Sequence, residues 1–113
     1  MNQNSPYIGK WKITQMETWG QDYVDLVVPG YVEFDADESG SFQFGTVRGW
    51  ADCRIETFND EEVIAFSWEG MNDTDTACGR GWAILVGDGE KLYGRIFIHN
   101  SDDSNFHAEK MDK

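Results

Sequence analysis

Basic side chains are scarce in this chain: 9 lysines and arginines stand against 21 aspartates and glutamates, for a net charge of −12. A field of that sign repels phosphate backbones, so nucleic acid is not an expected partner. No apolar run approaches the roughly 20 residues that span a bilayer, and Met1–Pro6 has neither a basic segment nor the apolar stretch of a signal peptide. The expectation is therefore a soluble, cytoplasmic protein with no membrane contact. Cysteine is nearly absent as well. Cys53 and Cys78 form no metal-ligand spacing, and strands once removed lie about 9.6 Å apart, too far for a disulfide. Both are expected as free thiols, with Cys53 packed as a small hydrophobe.

What the chain does have is large apolar side chains, with aromatics at 14% that include five Trp and seven Phe among 113 residues. That content rules out disorder and suffices for one packed core, so residues 1–113 are read as a single domain whose ends, 1–6 and 111–113, fray.

The chain reads as short alternating segments. In Tyr7–Met16, Trp11 and Ile13 share one face while Lys10, Lys12 and Thr14 share the other, the period of a half-buried strand. Trp11 is placed to plug the end of a small barrel, and Gly9 to let backbone pass close by. Trp19, Tyr23 and Leu26 then recur at helical spacing until Pro29-Gly30 ends the run, which predicts a short helix. Further strands are expected at 31–35, 41–44, 47–57, 63–69, 79–86, 91–98 and 105–110. Asp35–Gly40 is read as a hairpin turn rather than a calcium loop, because the position that needs a bidentate Glu is Thr46. The strand over 47–57 has a small apolar face (Val47, Gly49, Ala51, Cys53, Ile55) and a polar one, with an inward Arg48–Asp52 pair as the alternative.

Eight short strands joined mostly by short turns predict an all-β, up-and-down antiparallel barrel with one helix between the first two strands. A two-sheet sandwich is the competing architecture.

Gly9-Lys10-Trp11 followed by a small helix resembles the calycin group of lipocalins, fatty-acid-binding proteins and avidins. The segments Phe66-Ser67-Trp68-Glu69-Gly70, Gly79-Arg80-Gly81-Trp82 and Ile96-Phe97-Ile98-His99-Asn100 resemble a family of small bacterial β-barrel proteins. The resemblance implies a lipocalin-like barrel and no particular activity.

In such a barrel alternate connections gather at opposite ends. The helix, the turn at Gly45-Thr46, the loop expected over 70–78 and the loop 99–104 share one end, which makes that rim the candidate site. Trp19, Arg48, Trp68, Glu69, Arg80 and His99 are its candidate ligand-binding residues. Three readings follow. The first is a binding module with an aromatic-lined mouth for a small hydrophobic molecule or peptide, oriented by Arg48 and Arg80. The second is an acidic module docking a basic protein. The third is an enzyme using His99 as a base beside Asp102 or Glu69. No nucleophile motif, phosphate loop or metal-ligand spacing accompanies His99, so no cofactor or metal is expected. The pattern leaves the oligomeric state open.

Overall fold

The computed structural model describes residues 5–111. Eight strands, β1 (Gly9–Met16), β2 (Tyr31–Phe34), β3 (Ser39–Phe44), β4 (Val47–Phe58), β5 (Glu61–Asn72), β6 (Asp75–Val86), β7 (Lys91–Ile98) and β8 (Asp103–Lys110), follow one another around the molecule. Each pairs antiparallel with the next, and β8 returns to β1 to close the barrel. The single helix, α1 (Gln21–Val24), lies between β1 and β2. The expected up-and-down barrel is thus the observed fold, and the sandwich is not.

Closure at eight strands leaves an interior just wide enough for side chains. Aromatic rings can fill so narrow a space only where the facing strand carries no side chain. Inward glycines supply those gaps. A Cβ on Gly49 would lie 2.5 Å from the Phe42 ring and 2.8 Å from Trp68, and one on Gly81 would run into Phe66. Phe42 meets Trp68 edge to face at 5.0 Å, and Phe34 meets Phe66 at 6.3 Å. Trp11, Phe34, Phe42, Phe44 and Phe106 are all at least 98% buried, since none exceeds 2% exposure. Each ring withdrawn from water contributes on the order of 2–3 kcal/mol, and edge-to-face pairs about 1 kcal/mol more. The interior is therefore a packed core.

β4 alternates as the sequence implies: Val47, Gly49, Ala51 and Cys53 face in, Arg48, Trp50, Asp52 and Arg54 face out. The alternative inward Arg48–Asp52 pair is not formed. Burial pushes the Cys53 thiol up to about 12, with the Asp52 and Asp35 charges adding to it, while Cys78 is exposed; both are free.

Three features depart from the simple alternation. A bulge in the β1–β8 ladder lies between Ile13 and Gln15, so Trp11, Ile13 and Met16 all face inward although strict period two would turn Met16 out. The stretch expected as a long loop over 70–78 is instead the meeting of two twelve-residue strands, β5 and β6, with only Asp73-Thr74 between them. Asp73 takes φ 58°, a left-handed conformation that Asp tolerates. At the opposite end Asn59 and Asp60, with φ 52° and 67°, make the two-residue turn between β4 and β5.

The fraying expected at 1–6 and 111–113 falls partly outside the described residues, at 1–4 and 112–113. Within them, Met111 donates its N–H to the Lys10 carbonyl at 3.1 Å. Tyr7, only 1% exposed, accepts the Trp11 indole N–H on its carbonyl at 3.0 Å. Its hydroxyl donates to the Glu62 carbonyl at 3.4 Å and accepts the Leu85 N–H, bridging β5 and β6 past the last ladder pair, Ile64 with Ala83. Burial raises the phenol above its ordinary pKa, partly offset by that N–H.

Two substitutions test this packing by denaturant unfolding. Gly49→Ala forces a methyl into the Phe42 and Trp68 rings and is expected to cost about 1–3 kcal/mol. Tyr7→Phe keeps the ring but strands two backbone groups, and is expected to cost about 1–3 kcal/mol.

Candidate functional site

The end of the barrel expected to carry a site is covered. The chain leaves β1 and turns through α1, which is a single turn rather than the longer helix the spacing predicts. The Asp25 carboxylate stops it by accepting the Gly30 N–H at 2.8 Å, which folds residues 25–30 back on themselves. Trp19 and Tyr23 still reach the mouth: Trp19 lies 5.0 Å from the Phe44 ring and 6.0 Å from Tyr23. Leu26, the expected third member of that face, is 61% exposed instead. The Tyr23 hydroxyl lies 2.9 Å from Thr46 Oγ1, which donates to Asn72 Oδ1 at 2.8 Å. α1, the β3–β4 turn and the β5–β6 hairpin are thereby stitched together over the core. Gly45 makes this possible, since at φ +57° it passes where any Cβ would strike the Tyr23 ring.

The six candidate residues separate into three places. Trp19 is half-buried on the mouth. Trp68 is 4% exposed inside the barrel, its indole donating to the Phe97 carbonyl at 3.2 Å, so it is part of the core and lines no opening. Arg48, Glu69, Arg80 and His99 all point outward from the strands and the β7–β8 turn and are exposed. They do not converge on the mouth. Arg80 and His99 border a common surface depression, together with Cys78, Phe97 and Asn100. His99 holds its place through its backbone N–H, which donates to the Cys78 carbonyl at 2.7 Å.

The larger concavity lies where sequence reasoning did not look. A groove of about 760 Å³ crosses the outside of β4, β5 and β6, bordered by Asp52, Arg54, Phe58, Val63, Ala65 and Trp82 among others. Register lays these side chains in rows. Asp52, Ser67 and Arg80 form one, Arg54, Ala65 and Trp82 the next, then Glu56 with Val63, and last Phe58 with Glu61. Val63, Ala65 and Trp82 of the middle rows make an apolar floor, edged by Arg54 and Glu56 on β4, and Phe58 stands 71% exposed at the end. One signal was available in the sequence. On the outward positions of the strands expected at 63–69 and 79–86, apolar Val63, Ala65, Trp82, Ile84 and Val86 stand where a solvated face would be polar, beside Ser67, Glu69 and Arg80.

The charges around this groove are unevenly paired. Arg54 is held by Asp52 at 2.6 Å and by Glu38 at 3.9 Å. Arg95 is held by Asp103 at 2.7 Å and by Glu17 at 3.4 Å. Arg48 and Arg80 form no ion pair among the described residues. Each lies instead over a ring, Arg48 at 5.0 Å from Trp50 and Arg80 at 4.2 Å from Phe97. Stacking of that kind is worth about 0.5–1 kcal/mol at an exposed site and leaves the N–H donors available.

No protein-family model, curated protein or solved structure matches this chain.

The mouth cover carries a pH dependence. The Gly30 N–H holds the Asp25 carboxyl below its ordinary 3.8; burial, the next effect in size, opposes it, and the Gln21 amide and the Lys12 charge add smaller help. A carboxyl whose folded value is depressed stabilises fully above its unfolded value, and that contribution disappears as pH falls through the folded value. The melting temperature of Asp25→Asn is therefore expected below that of the wild type at pH 7, with the gap closing below about pH 4. A gap independent of pH would remove the carboxylate from this role.

Proposed function

We propose that this chain is a non-enzymatic, cytoplasmic binding protein of calycin type that engages an extended segment of a partner protein on the outer face of β4, β5 and β6. The observation that carries this reading is a contrast. The barrel interior is filled by rings set against glycines, whereas the groove outside is floored by Val63, Ala65 and Trp82 and walled by Phe58. Apolar concavities rimmed by a few polar groups are where ligands bind, and tryptophan and arginine are common anchors there. Of the residues expected to bind, Arg80 borders this groove directly.

The enzyme reading finds less support. His99 is exposed, and no hydrogen bond or ion pair of its imidazole to Asp102 or Glu69 is formed among the described residues. A carboxylate partner would orient the imidazole and raise its basicity.

The five indoles serve as reporters of where a ligand sits. Trp11 and Trp68 donate to core carbonyls, whereas Trp82 borders the groove. Titrating the ¹⁵N-labelled protein with short peptides of valine, leucine and phenylalanine, each with one lysine for solubility, is expected to move the Trp82 indole N–H signal. The Trp11 and Trp68 signals are expected to stay. Ala65→Arg fills the groove from a half-exposed position and is expected to weaken binding at least about tenfold, or 1.4 kcal/mol. Shifts led by Trp11 or Trp68, or none with any peptide, would overturn the outer-face reading.

A further inference from the structure

The groove is electrically polarised along the strands. Outward rows on a strand recur at every second residue, about 6.7 Å apart, so the three steps from the Arg80 row to the Phe58 row cover about 20 Å. That is the length of about six residues of extended peptide. Arg80 stands at one end with its guanidinium on Phe97 and no carboxylate partner among the described residues. At the far end the β4–β5 hairpin carries Asp60 and Glu61, with Glu56 one row nearer the middle, and none of them forms an ion pair among the described residues. Arg54, between the two ends, is already neutralised by Asp52 and Glu38. The apolar floor of Val63, Ala65 and Trp82 lies in the middle.

From this we infer that the occupant is an extended peptide segment of a partner protein with separated charges: lysine or arginine at one end, apolar residues in the middle, and a carboxylate at the other. The basic end faces the hairpin carboxylates, the apolar side chains lie on Trp82 and its neighbours, and the carboxylate pairs with Arg80. A guanidinium held flat on a ring presents its fork to such a carboxylate with little further ordering. A uniformly basic segment would meet Arg80 with like charge, and a uniformly acidic one would meet the hairpin tip with like charge. Such mismatches give specificity where each exposed pair adds only modest affinity. The inference rests on the outer-face reading above and adds the charge pattern of the ligand to it.

Three synthetic peptides with acetylated and amidated ends separate the possibilities, all sharing the middle Val-Leu-Val. One has two lysines before it and two glutamates after it, one has lysines on both sides, and one has glutamates on both sides. Affinities measured by fluorescence anisotropy at low salt are expected to favour the mixed peptide by about three- to tenfold, the range that exposed ion pairs and like-charge contacts allow. Arg80→Glu is expected to remove that preference and improve the all-lysine peptide, and Glu61→Lys to improve the all-glutamate one. Both positions are exposed, so the fold tolerates the changes. Equal affinity of the three peptides, unmoved by Arg80→Glu, would overturn the charge pattern while leaving the groove as a binding surface. Failure of all three, with the Trp82 indole signal unmoved, would overturn the outer-face reading itself and this inference with it.

Discussion

Glycine opposite an aromatic ring is the contact on which this molecule depends. Eight strands close on a bore that has no room for rings from every strand. Gly49, Gly81 and Gly94 withdraw their side chains so that Phe42, Trp68, Phe66 and Phe106 can enter. The result is a core in which a methyl group added at any of these glycines would strike a ring. Tyr7 completes it from the segment before β1, packed edge-on against Phe34, where its hydroxyl serves the two strand groups beyond the last β5–β6 ladder pair.

A filled bore moves the chemistry outward. The side chains with unused bonding capacity are the exposed ones, and they are not spread at random. Arg48 and Arg80 lie on rings without carboxylate partners, while Arg54 and Arg95 are clamped by acids. The clamped arginines tie neighbouring elements together. The two stacked ones have donors to spare, and Arg80 has them beside the apolar floor of the groove. The long strands matter for the same reason. β4, β5 and β6, at twelve residues each, outlast the eight-residue β1, β7 and β8 and extend a sheet face broad enough to seat a peptide.

Much of the architecture is legible in the residues because period two is a strong signal wherever one face is buried and the other is wet. Val47–Ile55 and Lys91–Ile98 alternate without interruption, and both form as the pattern implies. The misreadings have local causes. The β1 bulge is invisible because period two says nothing about a skipped residue. The polar run Asn72-Asp73-Thr74-Asp75 looks like a loop. It is a two-residue turn because Asp73 accepts a left-handed φ and the flanking residues continue the ladder. α1 is short because Asp25 prefers the Gly30 N–H, a contact across five residues that helical spacing does not encode. Trp68 lies toward the mouth end of β5, yet its direction depends on the strand face, and that face is the core. The outer groove exists only once register aligns Ala65 with Trp82 and Val63 with Glu56, and no single strand announces it.

A solid bore is what puts the binding surface outside, and xenon measures it directly, since it enters apolar cavities that exclude water. Crystals pressurised with xenon are predicted to show no atom among Trp11, Phe42, Phe66 and Phe106. A well-occupied xenon site within that ring of side chains would contradict the account, because a hollow barrel would return the binding surface to the inside.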